Sequence, residues 1–130
     1  MKLETFLTIA AVIAIVFGLG FVAAPARMLT QYGIEASPGT AIMARFFGGA
    51  LLNLGFVLFL ARHVIEPVTR TGIVRGSLIG AAVGLLVALH GQRIGAVNAL
   101  GWSTVAVYAF LLLGYGYFAF GKSVDSAVAR

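Results

Sequence analysis

The stretch FLTIAAVIAIVFGLGFVAA, residues 6–24, decides how the rest of the chain is read. It is apolar on every side, broken only by Thr8, and matches the ~20 residues a helix needs to cross a hydrocarbon core. A helix that is apolar all round has no face to offer water. Three comparable runs follow. Residues 39–61 hold Arg45 and Asn53, residues 72–90 have Arg75 near their start, and residues 97–120 close the series. None alternates with the period of two that a barrel strand requires. Lys2 and Val22-Ala23-Ala24 give the first run a likeness to a secretory signal. Its apolar core is longer than the ~7–15 residues usual there, and Pro25 would follow the cut directly, so we read it as the first helix.

Composition points the same way. Of 130 residues 61% are hydrophobic and 10% charged, and mean hydropathy is +1.04. A soluble domain carries roughly 25% charged residues. Nine Lys and Arg with four Asp and Glu are too few to cover a water-facing surface of this size. The +5 charge does not indicate nucleic acid, because the basic residues are scattered through the turns. They set orientation instead. Lys2, Arg62, Arg70, Arg75, Lys122 and Arg130 fall on one side, and Arg27, Arg45 and Arg93 on the other, which places both termini in the cytoplasm.

The connections are short, which favours neighbouring antiparallel helices. In residues 25–38, Pro25 can open a short helix and Gly33 close it, with Met28, Leu29 and Tyr32 on one face. Such a helix would lie on the membrane surface. Ser37-Pro38 reads as a cap and first helical position, and Asn98 as a cap for the last span. Trp102 at one interface, with Tyr115, Tyr117, Phe118 and Phe120 at the other, reads as an aromatic belt. Residues 123–130 read as a frayed polar tail.

Two patterns single out residues. Gly72, Gly76, Gly80 and Gly84 recur every four positions and Ala88 continues them, lining the third span with a groove free of side chains. Helices approach closely along such grooves. The seam serves packing within the chain, a second copy, or a partner protein. Gly48, Gly49 and Gly55 add to it in the second span, and Gly101 and Gly114 in the fourth.

The other pattern is polar. Arg45 lies on the order of 10 Å along its helix and shares a face with Gly49, Leu52, Asn53 and Phe56. At such depth an arginine pairs, snorkels or faces water, so Arg45 and Asn53 are expected to point into a bundle. Together with His90 and Arg93, and near Gln92 and Asn98, they are candidate ligand-binding residues. A pocket with two fixed positive charges suits an anion or the polar head of an apolar molecule. The plainer reading has Arg45 and Asn53 lock helix packing, with Arg45 bound to Glu35 or loop carbonyls, and makes His90, Gln92, Arg93 and Asn98 ordinary interfacial residues at a turn.

Other chemistries are argued against. Without cysteine there is no thiol redox chemistry. No run contains an acid to bind a driving ion. The small multidrug resistance transporters share this size but depend on a glutamate in their first helix. The fluoride channels carry a phenylalanine- and threonine-rich third helix that is missing here. His63 and His90 fall at opposite ends, too far apart for one haem, and no HExxH or Ser-His-Asp arrangement is legible. No catalytic residue, metal site or cofactor is assigned.

Pro25, Tyr32-Gly33, the stretch Ala44-Arg45-Phe46-Phe47-Gly48-Gly49-Ala50-Leu51-Leu52, Gly55 and Ala61-Arg62 together resemble the DoxX-like and related four-helix membrane proteins of bacteria. The resemblance extends over most of the chain as a pair of hairpins. It implies a bundle in a bacterial cytoplasmic membrane and no agreed activity, though some relatives are named as subunits of membrane oxidoreductase systems.

The expected architecture is therefore an all-α integral membrane protein. Its four spans form one antiparallel up-and-down bundle over residues 1–130, with both termini cytoplasmic. The expected function is that of a non-catalytic accessory or assembly subunit, with a membrane protein or a second copy as partner in the lipid bilayer. The alternative is a binder or carrier of a small lipophilic or anionic molecule.

Overall fold

Three helices of this chain begin on proline, whose missing N–H costs nothing at a first helical position. The computed structural model describes residues 1–121, and in it α1 is Leu3–Ala23, α2 Pro25–Gln31, α3 Pro38–Ala61, α4 Pro67–Arg93 and α5 Gly101–Phe120. All regular structure among the described residues is helical. The expected tail at residues 123–130 lies outside them. α1, α3, α4 and α5 are each long and apolar enough to cross a membrane. α2 is the expected short helix, and Gly33 ends it in the left-handed region at φ +74°. Glycine enters that region without the Cβ clash of other residues.

The caps explain where the helices start. Ser37 Oγ accepts from the Thr40 N–H at 3.1 Å, while Thr40 Oγ1 accepts from the Ser37 N–H at 2.8 Å, a reciprocal capping box. Glu66 caps α4, accepting from the N–H groups of Val68 and Thr69 at 3.0 and 2.7 Å and from the Thr69 hydroxyl. These bonds hold its carboxyl below the usual 4.5, the Thr69 hydroxyl contributing most. α4 thus begins five residues before the expected position and ends at Arg93, three residues beyond the expected 90, with Gly95 (φ +68°) following its Ile94 cap. α5 begins at Gly101, four residues later than expected.

The chain forms two compact units. The first comprises Met1–Arg62 and Ala96–Leu100. Here α1 and α3 run antiparallel: Gly18 meets Gly48, and Gly55 meets Ile15 and Ala11. The contact is nearly backbone to backbone. A Cβ on Gly18 would stand 2.9 Å from the Gly48 carbonyl oxygen, and one on Gly48 2.8 Å from that of Gly18. Small residues let dispersion act between main chains. Phe6, Leu7 and Leu58 are fully buried, and Phe21 meets Phe47 edge to face at 5.1 Å. α2 folds back on this hairpin. Leu29 is buried with Phe21 and Ala44, and Met28, Tyr32 and Ile34 pack around them. The face expected to meet the membrane surface therefore packs against protein.

Asn98 also acts as a clip. Its N–H donates to the Tyr32 carbonyl at 2.9 Å and its Nδ2 to the Gln31 carbonyl at 2.9 Å, while its Oδ1 accepts from the Leu100 N–H at 3.0 Å. Residues 96–100 are thereby tied to the end of α2.

The second unit contains α4 and α5, also antiparallel, with Gly84 against Tyr108 and Leu78 against Gly116. Val74, Ala81, Tyr115, Phe118 and Ala119 are buried, and Tyr115 shares a hydrogen bond with Ser77. This corrects the expected aromatic belt. Tyr117 and Phe120 are exposed, but Tyr115 and Phe118 belong to the core because they fall on the stripe that meets α4.

The distribution of side chains is the reverse of a water-soluble protein. Leu60 (76% exposed), Leu113 (74%) and Leu86 (68%) stand out among many exposed apolar side chains, while among the described residues no polar or charged residue is buried. Apolar patches of that extent mark surfaces that meet something other than water.

Candidate functional site

The four-residue glycine period places Gly72, Gly76, Gly80 and Gly84 along α4, but α5 uses only one of them. A Cβ on Gly84 would overlap the Tyr108 ring, so that glycine exists to receive an aromatic side chain. Gly72, Gly76 and Gly80 have nothing within 4 Å of where a Cβ would lie, and all three are exposed. Within the α4–α5 unit only the last of the series is occupied. The reason is geometric. Repeats of four drift around a helix of 3.6 residues per turn, and the buried stripe runs instead through Val74 and Ala81. What remains is an open groove along the first half of α4, bordered by the exposed Ile79 and Arg75.

The glycines that do hold helices together are Gly18, Gly48 and Gly55. Gly18 escaped sequence reasoning altogether. It sits in a run where every residue is apolar, and only its partner Gly48 shows what its small size is for.

Arg45 and Asn53 lie in the first unit, on α3, and both are exposed. Within this hairpin they lie away from α1. At about 100° per residue their face is turned by roughly 130° from the stripe of Ala44, Gly48, Gly55 and Leu58 that α3 buries. Between them Gly49 has nothing within 4 Å. The result is a notch: a guanidinium, a bare stretch of backbone one turn on, and an amide one turn further, flanked by Phe46 (68% exposed) and Phe56 (53%).

His90 and Arg93 lie in the second unit, exposed in the last turn of α4. Cations there face unsatisfied carbonyls and the negative end of the helix dipole, so their placement has a local cause. The His90 carbonyl itself accepts from the Ile94 N–H at 3.1 Å. Arg62 likewise closes α3: its guanidinium donates to the Phe59 carbonyl at 3.0 Å and lies over the Phe59 ring at 3.6 Å. Among the described residues no group of three or more His, Cys, Asp and Glu is arranged to hold a metal ion.

Two exposed features stand out, the glycine groove on α4 and the cationic-and-amide notch on α3. No protein-family model, curated protein or solved structure matches the chain.

Proposed function

We propose that the chain is a multi-pass membrane protein acting as a non-catalytic accessory or assembly subunit, its helices docking on those of another membrane protein. The carrying observation is the open groove of Gly72, Gly76 and Gly80. Gly costs a helix interior up to ~1 kcal/mol per residue relative to Ala. Three such residues at one spacing, none receiving a neighbour from α5, suit a helix of another protein packed along them. In this reading the four long helices form one up-and-down bundle with cytoplasmic termini. The resemblance to DoxX-like proteins extends the proposal to a bacterial cytoplasmic membrane.

The test is native mass spectrometry of the protein extracted from its own membranes into nanodiscs. A second polypeptide at fixed stoichiometry supports the reading. Gly76→Leu and Gly80→Leu then lose that polypeptide while keeping wild-type helicity, because both positions have room for the side chain. If the wild type carries no other polypeptide, the reading fails.

The exposure of Arg45 beside Asn53 favours a second reading, a carrier of a small anionic or lipophilic molecule. It predicts one retained non-lipid mass per chain in the same experiment, lost in Arg45→Ala.

A further inference from the structure

The end of α2 is completed by a residue 67 positions away in the chain. A helix leaves its last carbonyls without intrahelical partners. At α2 the left-handed turn at Gly33 satisfies part of this need. The Gly33 N–H donates to the Thr30 carbonyl and the Ile34 N–H to that of Leu29, both at 3.0 Å. The carbonyls of Gln31 and Tyr32 come next, and Asn98 takes both, one with its side-chain amide and one with its main-chain N–H. Its side-chain oxygen accepts from the Leu100 N–H. That bond fixes which way the amide faces, since a flipped group would set its oxygen against the Gln31 carbonyl.

The fit is close. A Cβ on Gly33 would lie 3.3 Å from both Cβ and Nδ2 of Asn98. Gly33 therefore serves twice: it enters the left-handed region and it leaves room for the amide. Tyr32 and Ile34, on either side of it, pack on the cluster of Phe21, Leu29 and Ala44. The bonds of Asn98 thus act where α2 is anchored to the α1–α3 hairpin. They are also exposed. Exposed bonds between short segments open at less free energy than packed helices. The segment they hold, residues 96–100, belongs to the first unit and is the connection from α4 to α5.

We infer that residues 96–100 are a latch on α2. With Asn98 seated, the last turn of α2 is closed. With Asn98 released, that turn opens while α1 and α3 stay paired. The order of α2 is thereby set by the α4–α5 connection, and strain on that connection reaches the first hairpin through one side chain. The latch lies within the first unit and works with or without a partner protein.

The test is hydrogen exchange followed by NMR on the full chain in phosphocholine bicelles, each rate taken relative to its intrinsic value. In the wild type the Gly33, Ile34 and Asn98 amides are expected to share one level of protection, about tenfold or more below that of Ala11 and Leu58 in the paired helices. Asn98→Asp separates a latch from a local cap. An ionised carboxylate still accepts from the Leu100 N–H but cannot donate to the Gln31 carbonyl. The expected result is a loss of protection of about tenfold at Gly33 and Ile34, with Ala11 and Leu58 unchanged. Gly33→Ala, which crowds the amide from the other side, gives the same loss at Ile34. Unchanged protection of Gly33 and Ile34 in Asn98→Asp overturns the inference and leaves Asn98 a local cap. A loss shared by Ala11 and Leu58 overturns it too, because α2 then opens only with the whole hairpin. So does equal protection of Asn98 and Ala11 in the wild type.

Discussion

Gly48→Ala adds one methyl group at the tightest point of the α1–α3 pair. Its Cβ would lie 2.8 Å from the Gly18 carbonyl oxygen and 2.9 Å from both Phe21 Cβ and Val22 Cγ2. That is about 0.6 Å short of the 3.4 Å at which ordinary contact begins. The obstructing oxygen is main chain and cannot rotate away, so the helices must part. A gap of ~0.5–1 Å forfeits a quarter to a half of each contact's ~0.1–0.2 kcal/mol. Over a few tens of atom pairs around the crossing this comes to about 1–2 kcal/mol, within the ~1–3 kcal/mol usual for overpacking. Alanine also favours helix over glycine by up to ~1 kcal/mol, which hides part of the loss. Gly76→Ala is the control, since it has the same propensity gain and nothing within 4 Å. The expected outcome is that Gly48→Ala is about 2 kcal/mol less stable than Gly76→Ala. The assay is reversible unfolding by titration with sodium dodecyl sulfate in mixed micelles, followed by far-ultraviolet circular dichroism. Equal stability of the two variants would refute the close approach of these helices.

Gly84→Ala is expected to cost about 1–2 kcal/mol, less than a backbone collision because the Tyr108 ring can swing aside. Tyr108→Leu should restore most of it, and a double-mutant cycle measures the coupling. Asn98→Ala removes two exposed side-chain hydrogen bonds and is expected to cost about 1 kcal/mol, seen as faster amide exchange at Asn98 and Leu100. Glu66 has a depressed carboxyl pKa, so its contribution to α4 is fully present above 4.5 and is lost as pH falls through the folded value. Protection of the Val68 and Thr69 amides, relative to the intrinsic exchange rate at each pH, should therefore fall on acidification below 4.5. Glu66→Gln should flatten that dependence, and an unchanged profile would count against the cap.

The four long helices were legible because apolar length is a one-dimensional property, and residues 6–24 needed no partner to be recognised. The Ser37-Pro38 start was legible for a similar reason, since its capping box is closed within four residues. Pro67 was passed over because Val68-Thr69-Arg70-Thr71 reads as a polar turn, although Glu66 satisfies the exposed N–H groups there. The clip made by Asn98 was not legible because its acceptors, Gln31 and Tyr32, are far away in sequence. The glycines show the limit most sharply. Spacing reveals which of them share a face, as in Gly72, Gly76 and Gly80, but not whether a neighbour occupies that face. Gly18 and Gly48 have meaning only as a pair. The Arg45 and Asn53 face was visible as a stripe, yet its direction depended on where α1 packs.

Helices locked backbone to backbone cannot slide past each other, and in the membrane setting we propose this governs how the first hairpin adapts to lipid. α3 has 24 residues, about 36 Å of helix, against a hydrocarbon thickness of about 30 Å. A loosely packed pair could absorb such a mismatch by axial slip of one helix. Here a slip of even one residue would carry a neighbouring side chain onto Gly18 or Gly48, where only hydrogen fits. The pair must tilt as one body, or draw the surrounding bilayer to its own thickness. Thin and thick membranes would then present Arg45 and Asn53 at different inclinations but always at the same separation.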